Sequence, residues 1–412
     1  RTVCYWGQPI ALVVAETFEQ ARDAAKHLAV EYRPDDGAPL SPDAVQPEEQ
    51  EDETVRQGDL VHAMSEAAHS VDVTFTTKGH ASAAMEPHAA IAQWDGDQLT
   101  VHASLQMLNY NISELADAID LPEEKVRLVS RFVGGGFGSK YIAYPEEVAV
   151  ALASRLLDRP VKWIEDRREH FTSAIQEREQ DWTMEIAVDA EGRVLGVRGS
   201  MLSDQGAYTP QGINMAYNAS TGVPGPYVVP NYEIDVHVME TNVVAAAPVR
   251  GAGYPEGNYT MERLLDRAAQ GLGLDRAEIR RRNLIPAEKM PYETPLKTRA
   301  GSPVMADSGD FLKCQQIALD RIDYEGFPAR QAAARAEGRY LGIGLANSLK
   351  GTGRGPFESG TVRIERSGKV RVFTGALAMG QGLKTMLAQV TSEQLGVPVG
   401  DIEVISGDTG TI

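Results

Sequence analysis

The chain of 412 residues has few of the side chains that build disulfide frameworks and metal sites. Its two cysteines, Cys4 and Cys314, cannot form an iron–sulfur cluster or a thiolate zinc site by themselves. The eight histidines include no pair at HxH or HxxxH spacing. We therefore interpret His80 and His88 as ordinary polar packing residues and expect no metal ligand from the protein itself.

Long apolar runs, an excess of basic residues and familiar catalytic signatures are also missing. No apolar run approaches the ~18 residues of a membrane helix, so we expect no membrane span. A formal charge of −18 argues against a nucleic-acid partner, because phosphate binding needs basic patches. There is no GxSxG, HExxH, EF-hand or Walker motif. The opening "RTVCYWGQPI" shows neither an initiating Met nor a signal-peptide pattern, so we expect a cytoplasmic protein and a piece of a longer chain.

Glycine-rich loops are what the sequence does contain. The loop "SRFVGGGFGSK", residues 130–140, places four glycines around Phe137 after a predicted strand. Glycine is used where the backbone approaches something closely or takes a positive φ. A second loop, "VRGAGYPEGN", holds Arg250 among glycines, and a third, "AMGQGLKT", precedes a predicted helix whose free amides would suit a phosphate.

Loops of this kind, with one arginine and neutral glutamines, favour a bulky anionic organic cofactor that carries the chemistry itself. Simpler interpretations stay open for each of them. The first loop is also compatible with a tight turn, Phe137 with a core residue, and Gln381 with an ordinary cap residue.

Composition divides the chain into five regions. Residues 1–36 are predicted as strand, helix and strand, with "ALVVAE" and "AVEYRP" as strands and Thr17 and Gln20 forming a capping box. The regions that follow are a Pro- and acid-rich linker (37–70), a mixed domain (71–286), a second Pro- and charge-rich connection (287–338) and the start of another domain (339–412).

One pattern occurs twice along the chain. A strand, a glutamine at the following turn, an amphipathic helix, a proline, a strand and a glycine-bearing loop follow one another from "DGDQLTVHASLQ" onward and again from "RSGKVRVFTGALAMGQG" onward. The two glutamines are Gln106 and Gln381. The repetition predicts two related domains that present equivalent loops to a shared site.

Seven stretches in one order resemble a known family: "GQPIALVVAET", "MEPHAAIA", "VGGGFGSK", "DQGAY", "VRGAGYPEGN", "MGQGL" and "VISGDTG". They resemble the molybdopterin-binding large subunits of the xanthine oxidase family, most closely the carbon-monoxide dehydrogenase-like branch. The resemblance implies an α+β fold: the C-terminal part of an α/β hammerhead domain (1–36), then a first molybdopterin-binding domain (71–286) and the start of a second (339–412).

The resemblance also implies roles for individual residues. Gln106 matches the glutamine that hydrogen-bonds an oxygen on molybdenum, and Arg250 matches the active-site arginine, so both are expected to act in catalysis. The pterin dithiolene would hold the metal. Cofactor contacts are expected from Gln106, Gly135, Gly136, Phe137, Gly138, Arg250, Gly251, Gly380, Gln381 and Gly382, and a substrate funnel from Tyr141, Ala252 and Tyr254.

The implied reaction is hydroxylation with water as the oxygen source. The implied cofactor is molybdopterin cytosine dinucleotide with molybdenum, and the implied partners are a 2Fe–2S small subunit and an FAD-binding medium subunit. Gly251 stands where CO-oxidising members carry cysteine, and Tyr141 and Ala252 replace purine-binding residues. We therefore expect a small N-heteroaromatic or aldehyde substrate, and the two stay open.

The family's catalytic glutamate lies beyond "SGDTGTI", the last residues of this chain. We accordingly expect the active site to need a further segment or a second polypeptide. The alternative is a non-catalytic fragment or scaffold subunit that only associates with partners.

Overall fold

The computed structural model describes residues 2–34, 37, 39, 50–299, 301–351 and 358–411. The strands of these residues are β1 Gln50–Gln57, β2 His69–Thr77, β3 His80–Ala81, β4 Ala89–Asp95, β5 Gln98–Ala103, β6 Val126–Val129, β7 Val161–Ile164, β8 Gln176–Glu177, β9 Gln180–Val188, β10 Val194–Asp204, β11 Tyr232–Met239, β12 Tyr292–Lys297, β13 Pro303–Ala306, β14 Gly360–Ile364, β15 Val370–Thr374 and β16 Ile402–Ile405. The helices are α1 Phe18–Ala25, α2 Leu60–Ser65, α3 Leu108–Ala118, α4 Pro145–Leu157, α5 Arg167–Ser173, α6 Gly212–Gly222, α7 Tyr254–Leu272, α8 Arg276–Asn283, α9 Phe311–Arg321, α10 Phe327–Ala336 and α11 Leu383–Leu395. Within these described ranges, no helix is both long and apolar enough to cross a membrane.

The larger sheet has the strand order β1-β11-β10-β9-β2 and forms one side of the main core. Its strands alternate buried and exposed residues because successive side chains point to opposite faces. Helices α6 and α7 cover the buried face, where Trp182, Tyr232 and Leu264 are fully enclosed. This layer carries the Arg250 loop, which follows β11.

The smaller sheet, with the order β6-β5-β4-β7, packs against α3 and α4 and forms a second core. Helix α4 begins at Pro145, a residue suited to the first helical turn. The loop 130–140 leaves the end of β6 at the edge of this core. The two layers therefore supply one glycine-rich loop each.

The repeated pattern is confirmed in three dimensions. The first copy is β5, α3, a 3-10 turn at Glu123–Lys125 and β6, and the second is β15, α11, a 3-10 turn at Val399–Asp401 and β16. The two strands of each copy pair in parallel. An antiparallel neighbour, β4 or β14, flanks the first strand in each case.

The first two predicted strands are not formed, although the helix between them is. Helix α1 begins after Thr17, and the predicted capping box between Thr17 and Gln20 is present. Residues 11–16 and 29–34 belong to no strand in the described part of the chain. Side chains such as Leu12 and Val30 therefore stay exposed.

Two regions expected to be irregular contain regular structure. The second half of the predicted linker forms β1, which pairs with β11 along its whole length, and α2. Sheet pairing overrides the acidic composition there, because β1 is an edge strand with one solvent-facing side. Residues 287–338 form the β12–β13 hairpin, α9 and α10, and Gln315 of α9 donates to the carbonyl of Ala277 on α8.

Candidate cofactor site

Gln106 lies against the glycine-rich loop 130–140 that ends the first repeat. Its Oε1 accepts hydrogen bonds from the backbone amides of Gly138, at 2.9 Å, and Lys140, at 3.2 Å. These two donors fix the orientation of the carboxamide. Nε2 has no hydrogen-bond partner among the described residues, so it is a donor available to a ligand.

The loop 130–140 and the Arg250 loop touch each other through their backbones. The amide of Arg250 donates to the carbonyl of Phe137 at 2.7 Å. A methyl group on Gly138 would overlap the carbonyl oxygen of Pro248, and one on Gly136 would overlap the Gln106 carboxamide. Glycine is therefore required at Gly138, as the sequence predicted for a close approach, whereas a side chain in place of Gly136 would have to displace the Gln106 carboxamide.

Phe137 and Arg250 present their side chains together at this junction. Phe137 has a φ of +54°, an unusual value for a residue with a side chain, and its ring is 41% exposed. The Arg250 guanidinium carbon lies 5.9 Å from the centre of that ring. The phenylalanine is thus not a core residue, and the arginine is placed beside it.

A buried lysine supports the first loop from below. Lys140 is fully buried, and its Nζ donates to the Glu86 carboxylate at 2.7 Å. The same carboxylate oxygen accepts from the amide of Gly134 at 2.7 Å. Burial lowers the pKa of Lys140; the pKa of Glu86, raised by partial burial, is lowered overall by its bonds to Lys140 and Gly134.

Three further buried side chains, His88, Glu165 and His170, form a network under the same loop. Glu165 Oε2 lies 2.9 Å from Nδ1 of His88 and 3.0 Å from Nδ1 of His170. The other ring nitrogen of His88 lies 3.1 Å from the carbonyl of Ser139. Burial raises the pKa of Glu165, but the bonds from His170 and His88 outweigh it and lower the pKa to about 2.

Metal binding is not needed to explain this network. The candidate ligand atoms of the three residues lie within 4.8 Å of one another, but the carboxylate oxygen stands between the two Nδ1 atoms and accepts from both. Both ring nitrogens of His88 lie within hydrogen-bond distance of protein oxygens, those of the Glu165 carboxylate and the Ser139 carbonyl. His88 is a polar packing residue that also holds Ser139.

The Arg250 loop has its own support in Glu177 and Arg178. Glu177 Oε2 accepts from the amide of Val249 at 2.5 Å. Arg178 donates to the carbonyl of Arg250 at 2.5 Å and to the buried carboxylate of Glu256 at 2.8 Å. Sequence patterns gave no sign of these supporting residues, because their partners lie 72 to 78 positions away in the chain.

The third loop is built differently. Gly380 and Gly382 have φ values of +102° and +81°, and a methyl group on either would meet nothing within 4 Å. The Gln381 side chain accepts from the amide of Met379 and donates to the carbonyl of Leu377, both at 2.6 Å. Gln381 therefore stabilises its own turn, and the free backbone amides at the start of α11, which has no side-chain cap, are the groups exposed to a ligand.

Several contacts attach the second repeat, which carries the third loop, to the first repeat. Buried Leu377 belongs to the core of the smaller sheet, together with Leu105 beside Gln106. Arg127 on β6 forms two hydrogen bonds with Asp408, at 2.9 and 2.7 Å. In the described part of the chain, however, no hydrogen bond joins the turn 380–382 to the other two loops.

The three predicted funnel residues lie near the first two loops. Tyr141 follows loop 130–140 and its hydroxyl accepts from Gln211 at 3.2 Å. Ala252 has a φ of +54° and its carbonyl accepts from Asn218 at 3.1 Å. Tyr254 begins α7, and its ring packs on Gly222. A separate cavity of about 700 Å³ lies between the N-terminal segment, which contributes Tyr5 and Tyr32, and residues such as Ile142 and Pro210; none of the three funnel residues lines it.

The residues present fit an anionic organic group larger than a metal ion. The first two loops leave a carboxamide donor and an exposed guanidinium at one junction, and the third offers uncapped helix amides. Neither free cysteine, Cys4 or Cys314, belongs to any of the three loops. This donor set suits phosphates and a pterin ring better than it suits a directly ligated metal.

Comparison with known proteins shows which protein family this chain resembles. Residues 44–284 and residues 317–412 each match the family model of a molybdopterin cofactor-binding domain. The gamma subunit of the 6-hydroxypseudooxynicotine dehydrogenase complex of Paenarthrobacter nicotinovorans is 35% identical over 100% of this chain and 53% of its own length. The large subunit of nicotine 6-hydroxylase from the same organism is 33% identical over 99% of this chain and 52% of its own length.

A solved structure shows the same fold. Quinoline 2-oxidoreductase from Pseudomonas putida 86 aligns with a TM-score of 0.87 at 32% identity, covering 96% of this chain and 53% of that one. The chain therefore belongs to the molybdopterin-binding large subunits of the xanthine oxidase family, and the predicted α+β fold with two cofactor-binding domains is confirmed. It spans about half the length of the curated relatives it matches.

Proposed function

We propose that the chain is the cofactor-bearing part of a molybdenum hydroxylase that inserts oxygen from water into an N-heteroaromatic ring or an aldehyde. The observation that carries the proposal is the meeting of loop 130–140 and the Arg250 loop at Gln106. When bound, molybdopterin cytosine dinucleotide with molybdenum would supply the redox centre for this oxygen transfer.

In the proposed site, the residues of this chain would bind and orient the cofactor and the substrate. The free Nε2 of Gln106 would donate a hydrogen bond to the cofactor, and its Oε1 holds the loop that presents Phe137. Arg250 would provide a fixed fork of donors for a charged oxygen of substrate or cofactor. Gly135, Gly136, Gly138 and Gly251 would let the backbone lie against the cofactor, and the turn Gly380–Gln381–Gly382 would offer amides to its phosphates.

The substrate class is argued from the relatives. The cavity of about 700 Å³ does not bear on it, because no residue of the three glycine-rich loops lines that cavity. The relatives named for nicotine and quinoline support an N-heteroaromatic substrate ahead of an aldehyde, and Tyr141, Ala252 and Tyr254 would line the approach.

The relatives also support a multi-subunit assembly. Their names describe a complex subunit and a large subunit. We propose a 2Fe–2S small subunit and an FAD-binding medium subunit as the route for electrons, and a further segment or polypeptide as the source of the catalytic glutamate. A non-catalytic scaffold is not favoured, because the chain matches enzyme subunits along 99–100% of its length.

Isotope labelling of the natural assembly tests the proposal. The purified assembly would be given quinoline in one arm and benzaldehyde in the other, in H₂¹⁸O with an artificial electron acceptor. We expect ¹⁸O from water in the hydroxylated quinoline and molybdenum in the protein. Hydroxylated product without ¹⁸O, or an assembly that folds without molybdenum when made in a molybdenum-competent host, would contradict the proposal. Turnover of benzaldehyde alone would reassign the substrate class.

A further inference from the structure

Arg178 occupies an unusual position behind the Arg250 loop. It has a φ of +84°, although it is not glycine, and lies directly after β8. A non-glycine residue in this conformation is strained and needs compensating contacts. The guanidinium makes two: one to the carbonyl of Arg250 and one to the carboxylate of Glu256 on α7. The contacts that compensate the strained backbone of Arg178 are thus also contacts that hold the Arg250 loop.

The neighbouring residue, Glu177, is a buried carboxylate with one occupied oxygen. Its Oε2 accepts from the amide of Val249, but its Oε1 is buried and has no partner in the described residues. Glu256 shows the same division, because Oε1 accepts from Arg178 and Oε2 is buried without a partner. Two buried oxygens without donors are costly unless a proton satisfies them.

The surroundings of Glu177 favour its neutral form. Burial and the nearby Glu256 raise the pKa of Glu177 to about 7, against the opposing effects of Arg178 and the Val249 and Gly253 amides. The remaining element beside it is β3, where His80 pairs with Glu177 across the ladder; the His80 ring is turned toward the carbonyl of Lys78. The charged groups that face Glu177 are therefore Glu256 and Arg178.

We propose that Glu177 carries a proton on its unpartnered Oε1, and that neutral Glu177 together with the Arg178–Glu256 ion pair is the positioning device that holds the Arg250 loop against loop 130–140. The inference rests on the proposed function for its purpose, because a loop that contacts a cofactor must keep one geometry. Its physical content concerns only residues of this chain. Glu177 acts through the backbone of Val249 and is a positioning residue.

Hydrogen–deuterium exchange of residues 245–253 in the natural assembly tests the device. Ionising Glu177 at pH 8 places two negative charges behind the loop, so the wild-type protein should lose about tenfold protection between pH 6 and pH 8 after correction for intrinsic exchange. Glu177→Gln is neutral at both pH values. It should keep the wild-type protection of pH 6 and show no loss at pH 8.

Further variants separate the device from general destabilisation. Glu177→Ala and Arg178→Gln should lose protection at both pH values, whereas Glu66→Gln, the same change at an exposed helix end, should follow the wild type throughout. Equal pH responses of wild type and Glu177→Gln, or wild-type protection in Glu177→Ala, would overturn the inference. Absence of molybdenum from the assembly would contradict the proposed function alone, because the exchange comparison does not require the cofactor.

Discussion

The two repeats carry a glutamine at the same place but use it differently. Gln106 and Gln381 each lie two residues before the helix of their repeat, α3 and α11. Gln106 reaches out to another loop, at Gly138 and Lys140, whereas Gln381 binds only the backbone of its own turn. Equivalent positions in related units have therefore taken separate structural roles.

The glycines differ in the same sense. Gly138 and Gly380 have almost the same φ, +104° and +102°. Gly138 is enclosed by the carbonyl of Pro248, whereas Gly380 faces open space. The first loop packs against protein on one side, whereas the third loop meets no neighbour at Gly380 and depends on its own backbone conformation. A cofactor seated between them would meet one fixed wall and one adaptable turn.

Matched glycine substitutions give the largest expected difference. Gly138→Ala adds both a positive-φ penalty and overlap with Pro248, so it should cost about 3 kcal/mol or more of folding free energy. Gly380→Ala adds only the conformational penalty, about 1 kcal/mol. Chemical denaturation of the two variants measures both values. Equal costs would show that the contact with Pro248 does not constrain the first loop.

Removing the charge of Glu165 should weaken the support under the first loop. A pKa lowered from 4.5 to about 2 in a buried group corresponds to about 3 kcal/mol of stabilisation, which Glu165→Gln should lose. Because the pKa is lowered on folding, this stability is present above pH 4.5 and is lost as the pH falls toward 2. Unfolding curves from pH 7 to pH 3 should therefore converge for variant and wild type; parallel curves would contradict the assignment.

Replacing the two glutamines tests their separate roles. Gln106→Leu leaves two loop amides without an acceptor, so it should cost about 2 kcal/mol and speed amide exchange over residues 134–140. Gln381→Leu should cost about 1 kcal/mol and change exchange only near residues 377–383. Faster exchange of the first loop in Gln381→Leu would break the comparison.

The smallest expected effect concerns the link between the repeats. Asp408→Asn weakens the paired bonds to Arg127, and because the arginine side chain is 48% exposed we expect only about 1 kcal/mol. Arg127 lowers the pKa of Asp408 below its ordinary 3.8, so the stabilisation is present above that pH and is lost below it. Thermal unfolding at pH 7 measures the difference. A loss of unfolding free energy several times larger would indicate that the Arg127–Asp408 pair stabilises the fold more than its exposure implies.

Local sequence signals predicted much of the fold. The capping box at Thr17 and the repeated strand–helix–strand unit follow from neighbouring residues, and both are present. The strand "ALVVAE" is absent because a strand needs a partner, and periodicity alone does not supply one. Edge strand β1 was predicted as part of a linker, because its acidic composition is typical of exposed segments and its pairing with β11 is not visible in the sequence.

The candidate site was predictable in its loops but not in its supports. Glycines at Gly136 and Gly138 show in the sequence because close approach requires that residue type. Buried pairs such as Glu86–Lys140 and His88–Glu165 join positions 54 and 77 residues apart, and a single sequence carries no record of such pairs. The loop glycines can therefore be identified from the sequence, whereas the side chains that support the loops cannot.

Cofactor content of the natural assembly tests the central claim most directly. Molybdenum, phosphorus and pterin would be measured per chain in the wild type, in Gly136→Val and in the control Leu156→Ala, whose side chain is 86% exposed. The overlap of a side chain at residue 136 with Gln106 predicts cofactor in the wild type and the control, and its loss from a folded Gly136→Val protein. A wild-type assembly without molybdenum, or a folded Gly136→Val protein with its full content, would contradict the claim that these loops seat the cofactor.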